Sequence, residues 1–378
     1  MQGDIESRYF VEAAAKALEV MESFDSPEEE LSIMEVARRV GMTYSSTFRL
    51  LYTLEKRGYV MRRPGSRKYS RTPARKRFRI GYAAADNHMK FSDEVSRSLV
   101  VAARNHGVHL IVKDNEANPP KALANVDALL DDGIHLLIEY QLNETVAQLI
   151  AAKCHDAKVP VIAITYAHPG AYYFGGNNYQ AGELAGECLC DFAEQAWKNK
   201  ADWLLLLPAK GMGSTLEVRM TGVRHRVLKR IKSLKKSNIF TATPGLTTHD
   251  GYRVTKEFLQ QFPRNGSKIL IAALSDPLAI GAARAAAKMG LEEHVAIVGQ
   301  GGGRDGRSSI RRGGPFLASV AYFPDTFGER LIPLALKILE GEKVPLISYT
   351  DLVVLNRANL DQYYPNVSPM SKHRAPLK

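Results

Sequence analysis

The sequence predicts an α/β protein with two doubly wound parallel sheets, preceded by a small winged helix-turn-helix domain. Two observations predict this fold class. Residues 31–71 contain two short amphipathic helices and then a hairpin, in the order of a winged helix-turn-helix. From residue 78, about nine short apolar runs alternate with amphipathic helices over roughly 280 residues, which exceeds one standard domain and indicates two similar lobes.

The first helix of the small domain has a well-marked start. Ser32 and Glu35 have the spacing of a capping box, in which each side chain accepts a hydrogen bond from an otherwise unpaired backbone N–H. Gly41 can supply the positive φ of the tight turn that follows the helix. Between these points the apolar residues repeat at helical spacing: Met34, Ala37 and Val40.

The second helix is predicted from residue 43 to about residue 57, with an inward stripe of Phe48, Leu51 and Leu54. In helix-turn-helix proteins, the amino-terminal end of the second helix meets base edges in the major groove. We therefore expect DNA contacts from the residues at this end: Thr43, Tyr44, Ser45, Ser46 and Arg49.

A predicted wing follows Gly58, with strands at residues 59–62 and 68–70 joined by a turn at residues 64–66. Between Lys56 and Arg79 the sequence has 11 basic residues and no acidic one, which suits contacts to phosphates. The wing residues expected to contact DNA are Arg62, Arg63, Arg67 and Lys68. The alternative is a mere packing unit with a solvated basic face, but the agreement of capping box, turn, polar helix start and basic wing favours DNA binding.

Residues 9–69 also resemble the amino-terminal domain of IclR-type transcription regulators. The resemblance lies in the pattern AxxALEVMESF…LSIMEVARRVGMTYSSTFRLLYTLEKRGYV. It implies a DNA-binding domain, which we place at residues 1–71, and double-stranded operator DNA as a partner.

Charge and cysteine content limit the remaining classes. The formal net charge is +11, and residues 1–79 hold 16 Lys/Arg against 11 Asp/Glu, so the charge is concentrated toward the predicted DNA end. Cys154, Cys188 and Cys190 fit neither a disulfide framework nor a zinc cluster, and we expect buried thiols in a reducing cytoplasm. The amino terminus lacks the apolar core of an export signal, and no run approaches the ~18 apolar residues of a membrane helix.

The larger part of the chain is divided into a linker at residues 72–77, a sensor domain at 78–364 and a tail at 365–378 that we expect to be disordered. Its predicted strands are RIGYAAA, HLIVKD, HLLIEY, PVIAIT, WLLLL, NIFTAT, ILIAAL, VAIVG and ASVAYF. In such sheets a ligand binds beyond the carboxyl ends of the strands, and a cleft between two lobes would collect those ends.

Residues from about 79 to 364 resemble the type I periplasmic binding protein fold, in the ribose-binding branch that also supplies the sensor domain of LacI-type regulators. The clearest segments are GVHLIVKDNEANPPKALANVDALLDDGIHLLIEY, VPVIAITYAHPGAYYFGGNNYQAGELAGE and ALSDPLAIGAARAAAKMG followed by VAIVGQGG. The resemblance implies two lobes with a small-molecule ligand, a sugar or sugar derivative, between them.

The same resemblance implies a set of ligand-binding positions. Phe91, in the loop after the first strand, matches a stacking aromatic, and Arg219 matches an arginine that bonds ligand oxygens. The full expected set is Phe91, Thr165, Tyr166, Arg219, His249, Ser275, Gln300 and Tyr322. Thr165-Tyr166 and Gln300-Gly301 stand where the family has carboxylate-bearing pairs, which disfavours ribose. A sugar acid or sugar phosphate, bound by charge-assisted hydrogen bonds, and a neutral sugar or polyol both remain open.

Motifs for catalysis or cofactors are weak. Residues 301–306 satisfy GxGxxG after a strand, but no apolar-periodic helix is predicted to follow, which argues against a dinucleotide site. A nucleophile elbow, a P-loop, HExxH and a compact pair of acids are all missing from the sequence. We therefore expect no enzyme activity, no cofactor and no metal.

The sequence as a whole predicts a cytoplasmic, ligand-responsive transcription regulator. One winged domain contacts only a half-site, so we expect a homodimer on a roughly palindromic operator, with no membrane partner. Ligand-driven lobe closure would act on the winged domains through the linker. A transport-type binding protein would share the sensor fold but would need an export signal, and this sequence has a DNA-binding module there instead. Two alternatives remain: a constitutive DNA-binding regulator with a ligand-dead sensor, and a sensor for a non-carbohydrate molecule.

Overall fold

The computed structural model describes residues 10–62, 65–72, 78–210, 213–261 and 266–365. Contacts divide the chain into an amino-terminal unit, Met1–Arg77, and a carboxyl-terminal unit, Phe78–Lys378. The predicted linker and tail lie outside the described residues, apart from residues 72 and 365, and so does Arg63 of the predicted wing. The predicted domain boundaries at residues 71, 77 and 364 remain predictions.

The amino-terminal unit packs helices against a three-stranded antiparallel sheet of order β1-β3-β2. Its elements are α1 (Glu12–Glu22), β1 (Leu31–Ser32), α2 (Ile33–Val40), α3 (Tyr44–Lys56), β2 (Val60–Arg62) and β3 (Lys68–Arg71). The buried core that joins them consists of Val20, Phe24, Leu31, Val36, Leu51, Leu54, Val60 and Tyr69. This arrangement is a winged helix-turn-helix.

The local signals of the helix-turn-helix are confirmed. Ser32 Oγ accepts from the Glu35 N–H at 3.3 Å, and Glu35 Oε2 accepts from the Ser32 N–H at 2.8 Å, which completes the capping box. Gly41 ends α2 with φ of 64°. The prediction that Phe48 points inward is wrong, because Phe48 is 41% exposed and Thr47 shares the buried face with Leu51.

The carboxyl-terminal unit alternates strands and helices. Its strands are β4 (Arg79–Ala84), β5 (His109–Asp114), β6 (Leu136–Tyr140), β7 (Val161–Ile164), β8 (Tyr172–Gly175), β9 (Trp203–Leu207), β10 (Ile239–Thr241), β11 (Ile269–Ala273), β12 (Val295–Gly301), β13 (Phe316–Ala321), β14 (Ile347–Tyr349) and β15 (Val353–Asn356). Its helices are α4 (Lys90–Asn105), α5 (Pro119–Asp131), α6 (Glu144–Asp156), α7 (Asn178–Trp197), α8 (Gly213–Arg230), α9 (Thr248–Gln261), α10 (Asp276–Lys288), α11 (Arg304–Arg312), α12 (Phe327–Leu339) and α13 (Leu360–Tyr363).

Each lobe is a six-stranded sheet. The first has the order β14-β8-β7-β6-β4-β5 with parallel pairs, and the second has the order β10-β9-β11-β12-β13-β15, in which only the β13–β15 pair is antiparallel. In both lobes the first strand along the chain lies between the second and the third, as in doubly wound sheets. The strand order therefore reverses beside β4 and beside β9, and ligands bind at such points.

The chain passes between the lobes after β8, after β13 and after β14. These crossings explain the strands that the sequence did not predict. β8, β14 and β15 are short, and β14 and β15 are edge strands next to the crossings, so they lack the long apolar runs of the central strands.

Residues 301–306 include the start of a helix. The helix α11 begins at Arg304 and buries Gly306, Ser309 and Ile310, a face without an apolar period. Its glycines have a packing reason, since a Cβ on Gly306 would lie 2.3 Å from Asp276 Oδ2. The loop therefore serves close packing around Asp276.

Cys154 and Cys190 are buried as expected, whereas Cys188 is half-buried. All three are free, and burial raises the pKa of each thiol to about 12. In the part of the chain that the structure describes, no helix has both the length and the apolar character needed to cross a membrane.

Candidate functional site

A cavity of about 510 Å³ lies between the two lobes of the carboxyl-terminal unit. This volume is in the range of pockets for small ligands. The first lobe contributes residues that follow β4, β6 and β7, and the second lobe contributes residues that follow β11 and β12. The carboxyl ends of both sheets therefore meet at the cavity.

One wall of the cavity is aromatic. Phe91 contacts Tyr140, Tyr322 and Phe327 edge to face, with ring centroids 6.3, 6.4 and 6.0 Å apart. Phe91 belongs to the first turn of α4, although it was predicted in a loop. Burial raises the pKa of Tyr140 and of Tyr322 to about 12, so both hydroxyls stay protonated at neutral pH. This wall can cover the apolar face of a sugar ring.

Arg219, on α8, supplies a half-buried cation to the cavity. Its Nε donates to Asn178 Oδ1 at 2.7 Å, one Nη donates to the Leu274 carbonyl at 3.3 Å, and its Cζ lies 4.8 Å from the centre of the Tyr322 ring. None of the described acidic side chains forms an ion pair with it. The guanidinium is therefore fixed in direction and keeps N–H donors for a ligand.

The position of Arg219 depends on close packing of two helices. A Cβ on Gly182 of α7 would lie 1.9 Å from the Arg219 carbonyl oxygen, so only glycine fits there. The close approach of α7 and α8 brings Asn178 within reach of the guanidinium. This contact sets the direction in which Arg219 points.

Two further polar groups face the cavity. Ser275 Oγ and Gln300 Nε2 are buried and have no hydrogen-bond partner among the described residues. Gln300 Oε1 accepts from the Tyr322 hydroxyl at 2.6 Å, which fixes the orientation of the amide. Buried polar atoms are rarely left unpaired. These atoms are therefore available to ligand hydroxyls.

Asp276 forms the floor next to these groups. It accepts from Ser319 Oγ at 2.5 Å and from the Gly303 N–H at 3.1 Å. Burial raises the pKa of Asp276 to about 7, against the lowering effect of these hydrogen bonds. The carboxyl therefore keeps its proton to a higher pH than an exposed aspartate does.

The raised pKa of Asp276 predicts a pH-dependent stability. Between pH of about 4 and about 7, the native state retains a proton that the unfolded chain has already lost, so the free energy of unfolding should fall as pH rises. Asp276→Asn should remove this decrease, and urea unfolding of both proteins across that pH range measures it. Parallel curves for the parent and the variant would contradict the assignment.

A buried ion pair joins the two lobes beside the cavity. Glu94, on α4 of the first lobe, accepts from the Arg304 N–H at 2.8 Å and pairs with Arg307 at 3.3 Å, on α11 of the second lobe. The Arg307 and Glu94 side chains are only 12% and 10% exposed. Because residues at the start of both helices line the cavity, this pair holds one side of the cleft together.

Glu94→Ala should destabilise the protein by about 3 kcal/mol, because it leaves a buried guanidinium and an N–H without their partner. Glu116→Ala is a matched control, since Glu116 is 54% exposed in its pair with Lys121 and should contribute less than about 1 kcal/mol. Chemical unfolding measures both changes. Equal losses of unfolding free energy in the two variants would show that the Glu94 ion pair contributes no more than an exposed one.

The predicted ligand residues divide into two groups. Phe91, Thr165, Arg219, Ser275, Gln300 and Tyr322 line the cavity. Tyr166 and His249 do not line it: Tyr166 is 1% exposed within the core, and His249 is exposed in the first turn of α9. Thr247 and Thr248 line the cavity near that turn instead.

Several cavity residues were not predicted. They include Asp86, Lys90, Tyr140, Tyr173 and Thr247. Asp86 follows β4 closely and Tyr140 ends β6, so the rule that ligands bind beyond the carboxyl ends of strands could have identified both. Tyr173 belongs to β8, which was itself not predicted.

In the amino-terminal unit, the exposed start of α3 carries the predicted DNA contacts. Thr43 caps the helix by accepting from the Ser46 N–H at 3.3 Å. All of the predicted contact residues on this helix are exposed: Thr43, Tyr44, Ser45, Ser46 and Arg49. In the wing, Arg67 and Lys68 are exposed, while Arg62 pairs with Glu55 at 3.0 Å and lies over the Tyr69 ring.

The fold and the two sites define a class: a two-lobed α/β ligand-binding domain joined to a winged helix-turn-helix. Two family models match the chain, the periplasmic binding protein domain over residues 80–343 and the IclR helix-turn-helix domain over residues 13–64. The chain belongs to the periplasmic binding protein domain family and carries an IclR helix-turn-helix. The larger domain has the type I periplasmic binding protein fold, as predicted.

Relatives agree with this assignment. The chain is 27% identical over 242 residues to the ribose import binding protein RbsB of Salmonella typhimurium, covering 63% of this chain and 77% of that protein. It is 29% identical over 255 residues to RbsB of Haemophilus influenzae, covering 66% of this chain and 82% of the relative.

Solved structures show the same fold. An ABC transporter solute binding protein from Agrobacterium vitis with bound allitol has a TM-score of 0.68 at 18% identity, over 77% of this chain and 99% of that chain. GanP, a glucose-galactose binding protein from Geobacillus stearothermophilus, has a TM-score of 0.66 at 21% identity, over 76% of this chain and 99% of that chain.

Proposed function

We propose that the protein is a cytoplasmic, ligand-responsive transcription regulator. It binds double-stranded operator DNA through the winged unit and a sugar or sugar derivative in the interlobe cavity. The observation that carries this proposal is that one chain holds two features. The interlobe cavity has buried polar atoms without a described hydrogen-bond partner, and the start of α3 in the winged unit is polar and exposed. A domain built only for packing would need neither feature.

The chemistry of the cavity supports a polyhydroxylated ligand. The cavity combines an aromatic wall at Phe91 with polar groups from Arg219, Ser275 and Gln300, the combination that recognises a ring with an apolar face and hydroxyls at its rim. The ligands named for the relatives, ribose, allitol and glucose or galactose, belong to this chemical class. Because Arg219 has no described acidic partner, a sugar acid or sugar phosphate would add charge-assisted hydrogen bonds.

DNA binding and ligand binding are coupled in this proposal. A ligand that favours one arrangement of the lobes shifts the population toward it, and the residues between the two units carry that bias to the winged unit. Because one winged unit reads a half-site, the active form is a homodimer on a roughly palindromic operator.

A melting-shift panel of neutral sugars, polyols, sugar acids and sugar phosphates tests the sensor. A ligand at about 100 times its dissociation constant should stabilise the fold by roughly 2.7 kcal/mol. A dose-dependent shift with one class identifies the ligand class. The absence of a shift with every compound would contradict carbohydrate sensing and leave a ligand-dead sensor or a non-carbohydrate ligand.

A further inference from the structure

The helix α3 carries an exposed row of aromatic side chains. Tyr44, Phe48 and Tyr52 are 53%, 41% and 48% exposed, and they follow one another at four-residue spacing. The Phe48 and Tyr52 rings lie 6.2 Å apart. Residues at this spacing lie on one side of a helix, so the three form a continuous aromatic stripe along α3.

Among the described residues of the amino-terminal unit, the buried core does not include the side chains of this stripe. The buried face of α3 consists of Thr47, Leu51 and Leu54, and the core around it is closed by side chains of the other elements. A contiguous exposed apolar surface commonly marks a binding site. The stripe is therefore a candidate binding surface.

The charged residues around the stripe indicate what kind of molecule binds it. Lys56 Nζ lies 5.4 Å from the centre of the Tyr52 ring, and Arg49 follows Phe48 on the exposed side. Neither cation forms an ion pair with a described acidic side chain, whereas Glu55, the acid on this helix, is held by Arg62 at 3.0 Å. An aromatic surface with a cationic rim fits a polyanion that also presents apolar groups.

Duplex DNA has both properties in its major groove. The phosphates provide the negative charge, and each thymine presents a C5-methyl group that apolar side chains can contact. Ser45 and Arg49 lie beside the stripe on the same exposed side and offer hydrogen bonds to base edges.

We propose that Phe48, with Tyr44 and Tyr52 beside it, makes the protein specific for thymine by contacting C5-methyl groups in the major groove. This inference rests on the proposed DNA binding. It assigns the specificity to an apolar contact in addition to the polar contacts of the helix start.

The test measures the contribution of the thymine methyl group alone, with all other features of the base unchanged. Duplexes are selected from a random library with the full chain, and the selected duplex is remade with each thymine replaced in turn by deoxyuridine, which lacks only the methyl. For the parent protein, at least one replacement should weaken binding by about fourfold, the effect expected for one buried methyl group. Phe48→Ala should bind the thymine duplex more weakly and lose the difference between thymine and deoxyuridine.

Leu18→Ala is the matched control, because Leu18 is an exposed apolar residue of α1, 61% exposed, and its variant should keep the full methyl sensitivity. If the parent binds every deoxyuridine duplex as well as the thymine duplex, the methyl contact is overturned while DNA binding stands. If no duplex is enriched by selection, DNA binding itself fails. If Phe48→Ala folds and keeps the difference between thymine and deoxyuridine, the assignment to Phe48 is overturned. Where Phe48→Ala does not fold, Phe48→Gln is the second variant, and it should lose the same difference.

Discussion

Arg219→Ala is expected to weaken binding of the ligand found in the melting panel by about 100-fold or more. The guanidinium is held by Asn178 and by the Leu274 carbonyl, lines the cavity and has no described acidic partner, so its remaining donors are available to a ligand. Hydrogen bonds from a charged donor contribute about 1.5–3 kcal/mol each, and more than one is lost. Calorimetric titration of the variant measures the change directly.

Two further variants distinguish recognition from folding. Arg219→Lys keeps the charge but cannot reproduce the planar fork, so a neutral sugar should lose most of its affinity and an anionic sugar should retain part of it. Arg253→Ala removes an arginine that is 50% exposed in a pair with Glu257, and it should bind ligand normally. Unchanged ligand affinity in Arg219→Ala would show that the ligand lies elsewhere.

Arg49→Ala is expected to weaken binding to the selected duplex by about tenfold or more. Its exposed side chain lies on the first half of α3, where a base-edge contact contributes about 1–3 kcal/mol. The ligand-induced melting shift should stay intact, because the cavity belongs to the other unit. Fluorescence anisotropy with the labelled duplex measures the loss.

Lys16→Ala serves as the charge control for Arg49. It removes one positive charge from α1 of the same unit, where Lys16 already pairs with Glu12. If both variants lose the same small factor, the effect of Arg49 is long-range charge alone and the assignment of α3 as the reading helix is wrong.

The sequence predicted those parts of the fold that depend on local signals. The capping box at Ser32 and the turn at Gly41 involve neighbours in sequence, and the central strands are long apolar runs. β8, β14 and β15 were missed because these short strands beside the lobe crossings are stabilised by pairing with distant residues. The helix α11 was missed because its buried face holds Gly306 and Ser309, which give no apolar period.

The cavity residues that could be predicted are those that lie just beyond the carboxyl ends of the strands or match positions in the family pattern. Phe91, Arg219 and Gln300 line it as the family resemblance implied. The Tyr166 side chain lies in the core, and the His249 side chain is exposed to solvent. The sequence does not show which way a side chain points in a loop or in the first turn of a helix, so neither orientation could be predicted. The exposure of Phe48 was likewise not predictable, because only the packed unit shows that Thr47 takes the inward position.

The most direct test of the account is the effect of the ligand on DNA binding by the full chain. The labelled selected duplex is titrated with protein, with and without a saturating amount of the ligand from the panel. We predict that the dissociation constant changes at least about fivefold, and that the duplex changes ligand affinity by the same factor. Equal dissociation constants with and without ligand would contradict a ligand-responsive regulator, even if each site bound its own partner.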